Sequence, residues 1–122
     1  MSVISGDMQG PTGKIPVVFY RTPAGDEVVR DWLRDLKAED RKIIGQDLMR
    51  LQFRWPVGMP LCRLLSDGLW EVRSTLTSNR IARMFFCFSE GRILALHGIV
   101  KKTEKTPATD LGLARKRKRE FG

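Results

Sequence analysis

A chain of 122 residues that is 42% hydrophobic and 30% charged has the composition of one globular domain with a modest core. It excludes a helical membrane protein, because no apolar run approaches the roughly 20 residues that cross a bilayer. Residues 1–13 lack the cationic-then-apolar order of a secretory signal, so the cytoplasm is the expected location. Lys and Arg total 22 against 14 Asp and Glu, a net charge of +8, and residues 101–122 supply +5 of it. Such a balance points to a polyanionic partner (nucleic acid, a ribosome or an acidic protein) or to a solvated basic helix end.

Residues 1–14 hold three Gly, one Pro and two Ser without periodicity. They are expected to be a disordered tail ahead of a single domain over residues 15–122. Residues 15–20, Ile-Pro-Val-Val-Phe-Tyr, predict a short strand whose Pro16 belongs at a sheet edge. Thr22-Pro23 combines an N-cap with a proline at the first helical position. Asp26 and Glu27 then suit the positive end of the helix dipole. Val28, Val29, Trp32, Leu33 and Leu36 form one apolar stripe at helical spacing. A second helix is predicted over residues 39–53, burying Ile44, Leu48 and Leu51 with Trp55, and the short link at Lys37-Ala38 makes the two a helical hairpin. Pro56 and Pro60 end it.

Residues 61–65 lead into a turn at 66–68, and three apolar runs follow at 69–76, 81–88 and 93–100. Thr77-Ser78-Asn79 and Ser89-Glu90-Gly91 separate them, so they read as an antiparallel meander. Arg73, Arg80, Arg83, Arg92, Lys101 and Lys102 lie along it. Cations on core strands are costly without anionic partners. Thr106-Pro107 starts a last helix to about residue 120, with sparse apolar residues and residues 115–119 turned to solvent. The fold class is α+β: an antiparallel sheet with the two N-terminal helices packed on one face, the other face open, and a C-terminal helix.

Cys62, Cys87 and the single His97 lack metal-ligand spacing, so neither a metal nor a cofactor is expected. No paired carboxylates, phosphate-cradling Gly loop or nucleophile triad is visible. Clustered Arg and Lys with one His suit metal-free RNA cleavage, in which the 2′-hydroxyl attacks the adjacent phosphate and cations stabilise the extra charge.

Four pieces stand in order here: Leu69-Trp70-Glu71-Val72-Arg73; Arg83 leading into Phe85-Phe86; His97-Gly98-Ile99-Val100-Lys101-Lys102-Thr103; and Lys105-Thr106-Pro107. In these pieces the chain resembles the phage-derived HigB-like toxins of the RelE/ParE toxin superfamily, from about Val17 to Phe121. The resemblance implies a RelE-like fold and a toxin that cuts mRNA on the ribosome. It also implies a small helix-turn-helix antitoxin as partner, the toxin alone being a monomer and a hetero-oligomer forming with the antitoxin. On the matched positions, Arg73 and Arg83 are assigned to phosphate binding and transition-state stabilisation. Lys101 and Lys102 are candidates for RNA grip or base, and as strand neighbours they point opposite ways. His97 reads first as a hydrogen-bonded core residue, but an imidazole ordinarily titrates near neutrality, which makes it a candidate acid or base. Arg63, Arg80, Arg115, Arg117 and Lys118 are expected to touch RNA. Relatives often carry Tyr in the strand that here reads Arg83-Met84-Phe85-Phe86-Cys87-Phe88, so a Lys/Arg/His mechanism is favoured. A gyrase poison of the ParE kind and a non-enzymatic basic nucleic-acid-binding module are the competing readings, because one fold serves several functions.

Overall fold

In a computed structural model, residues 14–102 and 105–121 are described. The expected tail, apart from Lys14, lies outside them. Among the described residues five strands and three helices follow one another as β1 (Val17–Phe19), α1 (Val28–Asp35), α2 (Ala38–Arg54), β2 (Cys62–Ser66), β3 (Leu69–Thr75), β4 (Ile81–Ser89), β5 (Arg92–Lys101) and α3 (Ala108–Phe121). The sheet order is β1-β5-β4-β3-β2. The fold is thus mixed α+β, with the predicted meander as its centre.

The turn residues at 66–68, 77–79 and 89–91 set the hairpins. Asp67-Gly68, Ser78-Asn79 and Glu90-Gly91 are consecutive pairs at positive φ, between +49° and +77°. Tight turns of that hand match the twist of the flanking strands. Three expectations change. The sheet is not wholly antiparallel: β1 lies at an edge, as Pro16 foretold, but runs parallel to β5, with Val17 opposite Ile93. Residues 62–66 form a strand of their own on the other edge, antiparallel to β3. The first helix begins at Val28, not Pro23. Gly25, at φ +95°, donates to the Thr22 carbonyl and Thr22 Oγ1 accepts from the Asp26 amide, so the Thr-Pro signal caps an isolated turn.

Strand alternation divides the core. Val72, Met84, Phe86, Ile93 and Ala95 meet Val29 of α1 and Leu51 of α2 on the first face. Leu69, Phe85, Cys87, Leu94 and Leu96 meet Tyr20 and Ala114 of α3 on the second. The second face is therefore partly roofed by α3 and not left open. A register shift between Phe85 and Phe86 makes Leu96 an extra residue on β5. His97 is thereby brought opposite Phe85, stacked on its ring at 5.9 Å. Among the described residues no helix is long and apolar enough to cross a membrane.

Gly98 explains part of the His-Gly motif. A Cβ there would lie 2.4 Å from Cε3 of Trp32, so only glycine lets the indole of α1 rest on β5. Gly98→Ala is expected to cost about 1–3 kcal/mol, the usual penalty of overpacking a filled core. Urea unfolding checks this, and an unchanged midpoint would contradict it.

Candidate functional site

On the second face the register sets charged side chains in rows. Arg63, Glu71, Phe85 and His97 form one row across β2 to β5. Arg73, Arg83 and Ile99 form the next, and Thr75, Ile81 and Lys101 the third. Arg83 and Glu71 are both 0% exposed. Arg83 Nε lies 3.3 Å from Glu71 Oε2, and Arg63 Nη2 lies 3.4 Å from Glu71 Oε1. Thr106, just ahead of α3, donates its hydroxyl to Oε2 at 2.7 Å. Glu71 is the residue that sequence reasoning undervalued. A lone acid within an apolar strand is a signal, because a buried cation nearby must have an anion. The expected direct phosphate contact of Arg83 is corrected accordingly, since its guanidinium is enclosed beside Glu71.

Arg73, half-buried and directly across from Arg83, also lines a cleft of about 730 Å³ at the end of the sheet. Lys102, Arg50 and Arg80 share this cleft with Asp47, over apolar Ile43, Leu61 and Ile81. Lys102 is exposed and faces the cleft, whereas Lys101, also exposed, ends β5 in the row of Ile81.

Arg80, Arg115 and Arg117 make contacts that hold the fold together. Arg80 makes two hydrogen bonds to Asp40 of α2, at 2.8 and 2.9 Å, and donates to the Thr77 carbonyl and hydroxyl. It clamps the β3–β4 turn to α2 while still lining the cleft beside Arg73. Residues 115–119 are not uniformly solvated either. Arg115 donates to Ser66 Oγ at 2.7 Å, and Arg117 donates to the Leu96 carbonyl at 2.8 Å. Lys118 is half-buried, so Lys116 and Arg119 are the exposed ones. His97 Nε2 sits 2.8 Å from Asp110 Oδ1, and its Nδ1 lies 3.4 Å from Arg117 Nη1. Arginine can only donate, so Nδ1 accepts and Nε2 carries the proton toward Asp110. With its side chain 15% exposed, His97 ties α3 to β5.

Tyr20, the only tyrosine, donates to Glu120 Oε1 at 2.7 Å, and that bond, aided by burial, raises its pKa. Both cysteines are buried and unbridged. Burial, and secondarily the charge of Asp47, pushes the Cys62 thiol up to about 11, and burial also raises Cys87. Neither is a nucleophile at neutral pH. Among the described residues no three His, Cys, Asp or Glu side chains cluster as metal ligands would.

Hydrogen bonding from Arg80 holds the nearly buried Asp40 carboxyl below its usual value. A carboxylate depressed in the folded state stabilises above its unfolded pKa, about 3.9, and loses that contribution as pH falls through the folded value. Asp40→Asn should therefore lower the melting temperature at pH 7, with the gap to the parent closing below about pH 4. Melts across pH 7 to 2.5 check this, and a gap independent of pH would contradict it.

The family profile described as "Phage derived protein Gp49-like (DUF891)" matches residues 31–119, from α1 through nearly all of α3. No match to this chain was found among curated proteins. The match covers the α2 clamp, all four antiparallel strands and the three rows across them, and so the chain belongs to the phage-derived Gp49-like family.

Proposed function

We propose that this chain is the toxin of a toxin–antitoxin pair, with a RelE-like fold, and that it cleaves mRNA on the ribosome. The observation that carries the reading is the meeting of Arg73 and Lys102 in one cleft at the end of the sheet, with Arg83 across the strand from Arg73. Membership of a phage-derived family and the HigB-like motifs support the toxin assignment. In the reaction the RNA 2′-oxygen forms a bond to the neighbouring phosphorus and the P–O5′ bond breaks. One proton leaves the 2′-hydroxyl and one reaches O5′. The phosphorane carries extra negative charge, and Arg73 offers it a planar, permanently charged fork. Lys102 supplies a point charge for the flanking phosphate. Arg83 contributes its field from behind Arg73, His97 and Arg117 keep α3 in place, and a helix-turn-helix antitoxin in the cytoplasm is the expected partner.

The test is a reconstituted translation system in which mRNA ends are mapped. Wild-type protein should cut within codons at the ribosomal A site. Arg73→Ala should slow cutting about 100-fold, the loss of roughly 3 kcal/mol of transition-state stabilisation. Lys102→Ala should slow it less, being a point charge at an exposed position. A folded Arg73→Ala protein that cuts at the parental rate would overturn the assignment. Wild-type protein that leaves mRNA intact while causing gyrase-dependent DNA breaks would establish the gyrase-poison reading instead.

A further inference from the structure

Glu71 stands between two neighbouring strands' arginines. It is opposite Arg63 on β2, diagonal to Arg83 on β4 and two residues before Arg73 on its own strand. Of these four side chains three are cations and one is an anion, and Glu71 is completely buried. Its closest contact is the neutral hydroxyl of Thr106 at 2.7 Å. The guanidiniums stand further off, at 3.3 Å for Arg83 and 3.4 Å for Arg63. Charge-assisted hydrogen bonds usually close to 2.7–2.9 Å. The carboxylate is thus not locked into one bidentate pair but shared between strands, each arginine meeting a different oxygen.

Stability does not account for this arrangement. A buried ion pair seldom outperforms well-packed apolar side chains, and the flanking residues Leu69, Val72, Met84 and Phe85 are already apolar and buried. What the carboxylate does supply is order among like charges. Arg73 and Arg83 face each other directly across β3 and β4, a placement that repels. An anion fixed one row away draws the Arg83 guanidinium toward Glu71 and away from Arg73. Thr106 fixes the carboxylate in turn and ties it to the start of α3.

We infer that Glu71 is a positioning residue for the cleft: it sets the guanidiniums of Arg63 and Arg83 so that Arg73 is aimed at the phosphate. It does not touch RNA itself. This rests on the nuclease reading above.

Glu71→Gln keeps the shape and removes the charge. In the translation system, the cutting rate at saturating protein should fall about 10- to 100-fold, since misplaced positive charge is felt mainly in the transition state. The protein concentration giving half the maximal rate should move by less than about threefold, the pattern of a lost transition-state interaction rather than lost binding. A folded Glu71→Gln protein cutting at the parental saturated rate overturns the inference, as does an effect confined to the half-maximal concentration. If Glu71→Gln does not fold, Thr106→Val decides: a several-fold lower saturated rate at unchanged half-maximal concentration supports the inference, and a parental rate overturns it. Wild-type protein that cuts no mRNA sinks the nuclease reading and this inference together, whereas parental cutting by a folded variant sinks the inference alone.

Discussion

A carboxylate and a guanidinium share the dry centre of the sheet's second face, and much of the structure follows from keeping them together. Glu71 and Arg83 are each wholly buried. Removing one partner of such a pair leaves a stranded charge and costs roughly 3–5 kcal/mol, a large part of a typical domain's 5–15 kcal/mol stability. The pair needs β3 beside β4 in this register. It also draws β2 alongside, because Arg63 approaches the second carboxylate oxygen. Thr106 completes the enclosure from the residues before α3. One acid therefore connects three strands and the start of a helix.

The roof over that face is held in an unusual way. α3 contributes one fully buried apolar residue, Ala114, with Leu111 packed beside it, and polar contacts supply the rest of its fastening. Tyr20 to Glu120, His97 to Asp110, Arg117 to the Leu96 carbonyl and Arg115 to Ser66 span its length. Hydrogen bonds to charged groups contribute about 1.5–3 kcal/mol each, so a few can secure a helix with little apolar area. Cations spent in docking are not available to a polyanion. Arg115 and Arg117 are drawn into docking, so the surface that α3 offers outward is narrower than a run of five basic residues implies, with Lys116 and Arg119 its most exposed cations.

Short-range signals carried most of the fold. The β-branched and aromatic runs at 69–76, 81–88 and 93–100, with two-residue turn formers between them, were enough for β3, β4 and β5. The apolar stripe of Trp32 and Leu33 and that of Ile44 and Leu51 were enough for α1 and α2. β2 was not legible, because Cys-Arg-Leu-Leu-Ser is short and lacks alternation, and its pairing with β3 provides what local preference does not. The start of α1 was misplaced because Gly25 enters left-handed space after a good capping signal. The parallel pairing of β1 depends on contacts with β5 more than 70 positions away, beyond local pattern. For the site, the basic residues were visible but their tasks were not. Asp40 is 40 residues from Arg80, and Glu120 is 100 from Tyr20. Only the folded chain brings Arg73, Arg80 and Lys102 to one cleft and gives Arg83, Arg115 and Arg117 their contacts with Glu71, Ser66 and the Leu96 carbonyl.

The central claim is that cations in this cleft stabilise a phosphorane formed by the RNA's own 2′-hydroxyl. The chemical identity of the upstream fragment's 3′ end tests it most directly. Fragments cut on translating ribosomes should end in a 2′,3′-cyclic phosphate or its 3′-phosphate product, since the 2′-oxygen remains bonded to phosphorus when O5′ departs. Fragments ending in a free 3′-hydroxyl would show that an external nucleophile attacked, and would contradict the account.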